Sequence, residues 1–325
     1  FRPKAARKCC APMTQLLFSC LFFLEHIAGR RAASRLEKIR HRQYPLTPQG
    51  VLLNLPVRQV FSAAEARSAL ARGKEPVVWK GGAKGTAVAQ WSIPYLIRKA
   101  GSTPVKILSL TGLSTRKTAY DDRVMPLAEY IALLKKHKDV YLRFSDLLDN
   151  APELRQDLPF EMLNQIGKSP GRVNLQFFLG ASGSQTPLHS ELNCNIFIQV
   201  FGKKRWVLFP VSATRRLQPP SAGRFYFFSP LQPLGKLPPV GTNPLRGWEI
   251  LLEPGDVLVC PPLVWHAVEN LTTTCSVGFK FNRLAQAMRI SPLLFGMNLL
   301  ARNPSYFSYI WSAFVRRRHP ILATK

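Results

Sequence analysis

The period of the apolar positions changes near residue 173. Before it, apolar residues recur mostly three or four apart, as in a helix with one buried stripe. A helix is expected from about Met13 to Arg42, followed by a proline-containing linker from Gln43 to Gly50. Ser62 and Glu65 read as a capping box that opens the next helix, since the hydroxyl can accept from the Glu65 N–H while the carboxylate reaches back. Further helices are expected over Trp91–Lys99 and from Leu127 to Lys138. Short strands are expected over Pro76–Gly81, Val105–Leu110 and Val140–Phe144.

After residue 173 the apolar runs are short, and many alternate as strands do. They cover Val173–Leu179, Asn195–Phe201, Lys204–Phe209, Trp248–Leu252, Asp256–Cys260, Trp265–Leu271 and Cys275–Phe281. Gly202-Lys203 is expected to close a hairpin, and Glu253-Pro254-Gly255-Asp256 to form a turn. Many short strands with turn signals at close spacing predict a mainly β fold with flanking helices, a jelly roll or barrel. Residues 218–247 read as a proline-rich ordered insertion, and residues 284–315 return to helical spacing. The chain then divides into a basic leader and linker (1–50), a β domain (51–282) and a C-terminal basic helical segment (283–325).

Charge adds a question about partners. The 325 residues carry a net charge of +27. Residues 1–43 hold ten basic and two acidic residues, and residues 283–325 hold seven basic and none acidic. Such a field draws nucleic acid or an anionic membrane surface to the basic termini, and equally suits a solvated basic surface. The basic ends are expected to govern encounter with a partner and to be dispensable for chemistry. The C-terminal helices are expected to offer a homodimer contact. Leu16–Leu24 is apolar but too short to span a bilayer, and is expected to be an amphipathic segment that packs on the domain or rests on a membrane. The six cysteines form no Cys-x-x-Cys pair and suggest no disulfide framework, which points to a reducing compartment. An intracellular, cytoplasmic location is expected, with peripheral membrane contact open.

Two separated fragments carry the chemistry. The first is Thr186-Pro187-Leu188-His189-Ser190-Glu191. The second runs from Glu253-Pro254-Gly255-Asp256 to Trp265-His266. Residues two apart on a strand point the same way, so His189 and Glu191 can reach one metal, and His266 can close the set from another strand. Two imidazoles and a carboxylate suit Fe(II) with open positions; a hydrolytic zinc site could use the same ligands. Taken alone, His-x-Glu is more often a core histidine beside a surface charge.

The surrounding text resembles the JmjC and cupin-like 2-oxoglutarate oxygenases, most of all the group of the hypoxia-inducible-factor asparagine hydroxylase. The stretches that carry the resemblance are TPLHSELNCNIFIQVFGKKRWVLFP and LLEPGDVLVCPPLVWHAVENL, within roughly residues 54–281. It implies a double-stranded β-helix and a dioxygenase using Fe(II), 2-oxoglutarate and O2. It implies His189, Glu191 and His266 as iron ligands. Lys204, Thr186, Tyr141 and Asn195 are implied as contacts to 2-oxoglutarate, where a buried dicarboxylate needs a cation and directional donors. Alternation places Lys204 inward and Lys203 outward, and Trp265 is expected to pack rather than touch substrate. The implied reaction is hydroxylation of a protein side chain. The alternatives are an RNA (tRNA-type) hydroxylase, an N-methyl demethylase, or a non-catalytic cupin-like binding protein. Lys280 or a neighbour stands where that group carries a late Asn, and Phe228-Ser229-Pro230-Leu231-Gln232-Pro233 replaces an acidic segment.

Overall fold

The computed structural model describes residues 11–44, 50–109, 123–134, 136, 140–167, 173–221, 223–232, 234, 243–302 and 305. Two facing sheets form its centre. The upstream strands are β1 (Arg58–Val60), β2 (Val77–Trp79), β3 (Leu108–Ser109), β4 (Val140–Ser145) and β5 (Asn174–Gly180). Then come β6 (Gln185–Ser190), β7 (Cys194–Phe201), β8 (Lys204–Phe209) and β9 (Phe227–Phe228). The last are β10 (Trp248–Leu252), β11 (Val257–Cys260), β12 (Trp265–Asn270) and β13 (Thr274–Phe281). The major sheet has the order β1-β2-β11-β7-β13-β5-β4-β3, and the minor sheet β9-β6-β12-β8-β10.

One expectation is overturned. Gly202-Lys203 does not close a hairpin, because β7 pairs with β11 and β13 while β8 pairs with β10 and β12. The turn instead carries the chain from the major to the minor sheet. The connections β10 to β11 and β12 to β13 cross in the same way. Crossing at each corner is what a jelly roll does, and it seals an interior between the sheets. A two-residue turn signal reads the same in both topologies, so local sequence could not separate them. Gly202 is nonetheless required: its φ is 74°, and an added Cβ would lie 2.1 Å from the Thr273 carbonyl oxygen.

Three apolar clusters follow from these layers. One lies between the major sheet and the outer helices, with Leu142, Phe177, Ile196 and Val277 at its heart. The second fills the space between the sheets with Tyr141, Phe178, Phe197, Trp206, Leu208 and Trp248. The third covers the outer face of the minor sheet. Phe18 and Phe22 belong to this last cluster, so the N-terminal segment is packed against the β domain. It forms two helices, Ala11–Ile27 and Arg30–Gln43, rather than the single expected one, with Gly29 preceding the second. Its anchor is polar. Arg40, fully buried, donates to Glu25 at 2.8 Å and to Gln218 at 2.6 Å, and Glu25 accepts from the Ser221 N–H at 2.7 Å. Burial raises the Glu25 pKa and Arg40 opposes that rise. The C-terminal helices Leu284–Ile290 and Pro292–Leu299 pack on the same cluster through Ala287, Leu294 and Met297. The expected helical segment beyond residue 305 lies outside the described residues. Among the described residues no helix is long and apolar enough to cross a membrane.

Ser62 caps the helix Ala63–Arg72 as expected, accepting from the Glu65 N–H at 3.2 Å. The reciprocal contact comes from the Phe61 N–H to the Glu65 carboxylate at 3.0 Å.

Candidate metal centre and cosubstrate cavity

His189 and His266 are direct cross-strand partners on β6 and β12, so antiparallel pairing alone sets their rings side by side. The ring centroids are 4.1 Å apart. Each ring is fixed by a carbonyl two residues back: His189 Nδ1 meets the Pro187 oxygen at 2.8 Å, and His266 Nδ1 meets the Val264 oxygen at 3.0 Å. A carbonyl can only accept, so Nδ1 carries the hydrogen in both rings and Nε2 is left as the free base. Burial pushes both pKa values down, that of His189 well below the usual range. Both imidazoles are therefore held neutral, the form that ligates metal.

Glu191 lies just past the end of β6, on the side His189 faces, and is 2% exposed. One carboxylate oxygen accepts from the Lys280 ammonium at 2.6 Å. The other is buried, has no hydrogen-bond partner, and lies 4.0 Å from His266 Nε2. Donor atoms of His189, Glu191 and His266 all fall within 4.8 Å of one another. An orphaned buried carboxylate oxygen beside two imidazole lone pairs is a donor set that a divalent cation satisfies. The residues fit a metal, and the sequence expectation of these three side chains meeting holds.

A backbone clamp fixes the distance between the two fragments. Leu263 takes a φ of 65°, which costs a residue of its type about 1–3 kcal/mol. Its N–H donates to the Glu191 carbonyl at 2.8 Å, and its carbonyl accepts from the Ser190 hydroxyl at 2.9 Å. The strained turn is thereby tied to the segment that carries Glu191.

The remaining expected residues gather around the same interior. Tyr141, Thr186 and Asn195 line a cavity together with His189, Glu191, His266 and Lys280. Its empty space, open solvent included, is about 360 Å³ and adjoins all three candidate ligands. Lys204 is fully buried behind the lining residues Tyr141 and Phe197, donating to Ser276 at 2.8 Å and to Tyr141 at 3.4 Å. Its ammonium lies 4.8 Å from the Phe197 ring centroid. Lys203, by contrast, is exposed and pairs with Glu253 at 3.0 Å. Among the described residues Lys204 pairs with no carboxylate. Burial depresses its pKa to about 7 and raises that of Tyr141 to about 12. The side-chain oxygen of Asn195 is buried without a partner. Trp265 packs on the outer side, donating to Thr214 at 3.0 Å.

Sequence reasoning did not assign Lys280, Ser276, Gln199 or Phe228 to the site. Ser276 accepts from Lys204 and donates to Gln199 at 2.9 Å. Phe228 on β9 stacks on His189 with centroids 5.7 Å apart. A signal existed for Lys280: a lysine inside the apolar run Cys275–Phe281, on the same alternation as Ser276, is out of place unless something pairs with it.

A family model described as "Cupin-like domain" matches residues 63–286. The chain belongs to the cupin-like domain family. Jumonji C domain-containing protein 5 of Drosophila melanogaster is 27% identical over 207 residues, covering 59% of this chain and 51% of that protein. Lysine-specific demethylase 8 of Xenopus tropicalis is 27% identical over 200 residues, covering 58% of this chain and 44% of its own length. A tRNA wybutosine-synthesizing protein 4 of Gibberella zeae is 22% identical over 218 residues, covering 62% of this chain and 21% of its own length. The chain thus spans about half the length of the first two relatives. JmjC members of this family are oxygenases that use Fe(II) and 2-oxoglutarate.

Proposed function

We propose that this chain is an Fe(II)- and 2-oxoglutarate-dependent dioxygenase that hydroxylates a protein side chain. The observation that carries the reading is the orphaned oxygen of Glu191 between two imidazoles whose Nδ1 atoms are already engaged. His189, Glu191 and His266 would hold the iron, which when bound supplies O2 activation. Lys204 would take the distal carboxylate of 2-oxoglutarate. Its charge lacks a carboxylate partner among the described residues, and a dianion would restore what burial removes. Tyr141 and Thr186 would add hydroxyl contacts, and the unpartnered oxygen of Asn195 marks a further polar contact near the metal. Phe178, Phe197 and Trp206 line the interior and keep bulk water from it.

N-methyl demethylation is the second reading, because a demethylase name stands among the relatives and needs the same site. Placement beside the asparagine hydroxylase group rests on the two quoted motifs. Incubating purified protein with Fe(II), 2-oxoglutarate and a cell extract, then searching peptides by mass spectrometry, tests the choice. A peptide gaining one oxygen supports hydroxylation, and a peptide losing a methylene with formaldehyde release supports demethylation. Failure of either to depend on 2-oxoglutarate contradicts both.

A further inference from the structure

The N-terminal helical hairpin has an outer side that none of the described residues covers. Its first helix, Ala11–Ile27, turns Phe18, Phe22, Glu25 and His26 onto the β domain, where all four are buried. A helix rotates about 100° per residue, so Leu16, Cys20, Leu24 and Ile27 share a stripe on the opposite side. Leu16 is 65% exposed, Leu24 46% and Ile27 43%. A surface helix is ordinarily polar on that side. This one is apolar on both faces, yet its 17 residues are too few to cross a bilayer. The second helix, Arg30–Gln43, is built the other way. Ala33 and Arg40 face inward. Arg31, Arg35, Lys38 and Arg42 recur at spacings of four, three and four, which puts them on one stripe, and all four are exposed. The acidic residues of the hairpin lie elsewhere: Glu25 is buried against Arg40, and Glu37 is half-buried off that stripe.

We propose that the outer side of this hairpin docks flat on an anionic lipid bilayer. Each stripe lies opposite the face that holds its helix to the domain, so the two look outward together. Exposed leucine and isoleucine beside a row of arginine and lysine is the composition of helices that rest in a lipid interface. The leucine stripe enters the boundary of the acyl chains, and the basic stripe meets the negative headgroups. Charge complementarity selects this occupant. A second copy of the same face would set the basic stripe against itself. An aliphatic stripe offers nucleic acid neither stacking nor hydrogen bonds. The buried Arg40–Glu25 pair at 2.8 Å ties the hairpin to the domain, so docking also fixes how the domain is oriented at the surface. This surface is separate from the metal centre, and the proposal stands whatever that centre does.

The test is flotation of the whole chain with vesicles of phosphatidylcholine, alone or mixed with phosphatidylserine. The wild type is expected to partition to the mixed vesicles at least roughly hundredfold more strongly, since each basic residue at an anionic surface contributes a factor of about five. Arg31→Gln/Arg35→Gln/Lys38→Gln should weaken binding to the mixed vesicles roughly hundredfold. Leu16→Gln/Leu24→Gln keeps every charge and should weaken it roughly tenfold per leucine. Both variants change exposed side chains and are expected to keep the wild-type Tm. If the double leucine variant unfolds, Leu16→Gln alone is expected to show the roughly tenfold loss. Equal wild-type binding to the two kinds of vesicle, binding to neither, or undiminished binding by the charge or the leucine variant overturns the proposal. A wild type that self-associates in sedimentation velocity, ignores vesicles and turns monomeric on the leucine change gives the face to a second copy. Binding of tRNA that displaces the mixed vesicles and survives the leucine change gives it to RNA. Either result also overturns the proposal.

Discussion

Replacing Lys204 with Met should stabilise the ligand-free protein and remove its response to 2-oxoglutarate. The side chain is fully buried among Phe178, Phe197 and Tyr141. Burial lowers its pKa from 10.5 to about 7, a loss of about 5 kcal/mol in preference for the charged form. Methionine has similar volume and gives up two hydrogen bonds, each about 1 kcal/mol net. Neither hydroxyl is stranded: Ser276 still donates to Gln199, and Tyr141 keeps Asn270 and Thr186. The balance is about 3 kcal/mol in favour of the variant near neutral pH, or roughly 5–10 °C in Tm. The pH dependence has a definite sign. Between about pH 7 and 10.5 the unfolded chain holds a proton on this lysine that the folded protein has released. Wild-type stability therefore rises with pH across that window, and the variant gains nothing there. Its advantage is complete below pH 7, falls to zero near about pH 9, and becomes a deficit of about 2 kcal/mol above 10.5. Added 2-oxoglutarate should raise the wild-type Tm and leave that of the variant nearly unchanged. A lost charge-assisted contact of about 1.5–3 kcal/mol weakens Kd tenfold to hundredfold. Differential scanning fluorimetry from pH 6.5 to 9.5, with and without 2-oxoglutarate, reads every part of this. A variant less stable than wild type at pH 7, or one that keeps the full 2-oxoglutarate shift, refutes the reasoning.

Two further outcomes are expected. Arg40→Ala strands the buried Glu25 carboxylate and should cost about 3–5 kcal/mol; urea denaturation showing a loss under 1 kcal/mol would mean that the N-terminal hairpin is held by its aromatic contacts instead. Ser190→Ala leaves the Leu263 carbonyl without its hydroxyl donor and should cost about 1–3 kcal/mol. Because that clamp ties Glu191 to the His266 turn, Mn(II) affinity should fall with stability, and unchanged affinity would show that the clamp does not set the ligand geometry.

Alternation on β6, β8 and β12 was enough to place His189, Lys204 and His266 in one interior, because a strand fixes which way each side chain points. The partnering of strands was not legible in the same way. β7 and β8 are separated by a turn that suits a hairpin, and only the burial of both strands on opposite sheets decides for a crossing. The N-terminal segment was legible in part. Its apolar stretch Leu16–Leu24 was expected to pack on the domain or rest on a membrane, and Phe18 and Phe22 do pack there, while its ten basic and two acidic residues suited a solvated leader equally well. Yet Arg40 and Glu25 satisfy each other in the interior and reach Gln218 and Ser221, contacts about 180–200 residues away that no local pattern encodes. That segment also touches the site's periphery, since Phe22 lies against Phe227, next to the Phe228 that stacks on His189. Removing it should disturb the β domain, contrary to the expectation that the basic end is dispensable.

His189, Glu191 and His266 are proposed to hold iron beside a cavity for 2-oxoglutarate. An anaerobic titration of Fe(II) into the whole chain with 2-oxoglutarate, followed by the visible charge-transfer band of a chelated 2-oxo acid, tests it most directly. The band should saturate at one iron per chain in the wild type and be absent from His266→Ala. No band in the wild type, or the same band in His266→Ala, would contradict the account.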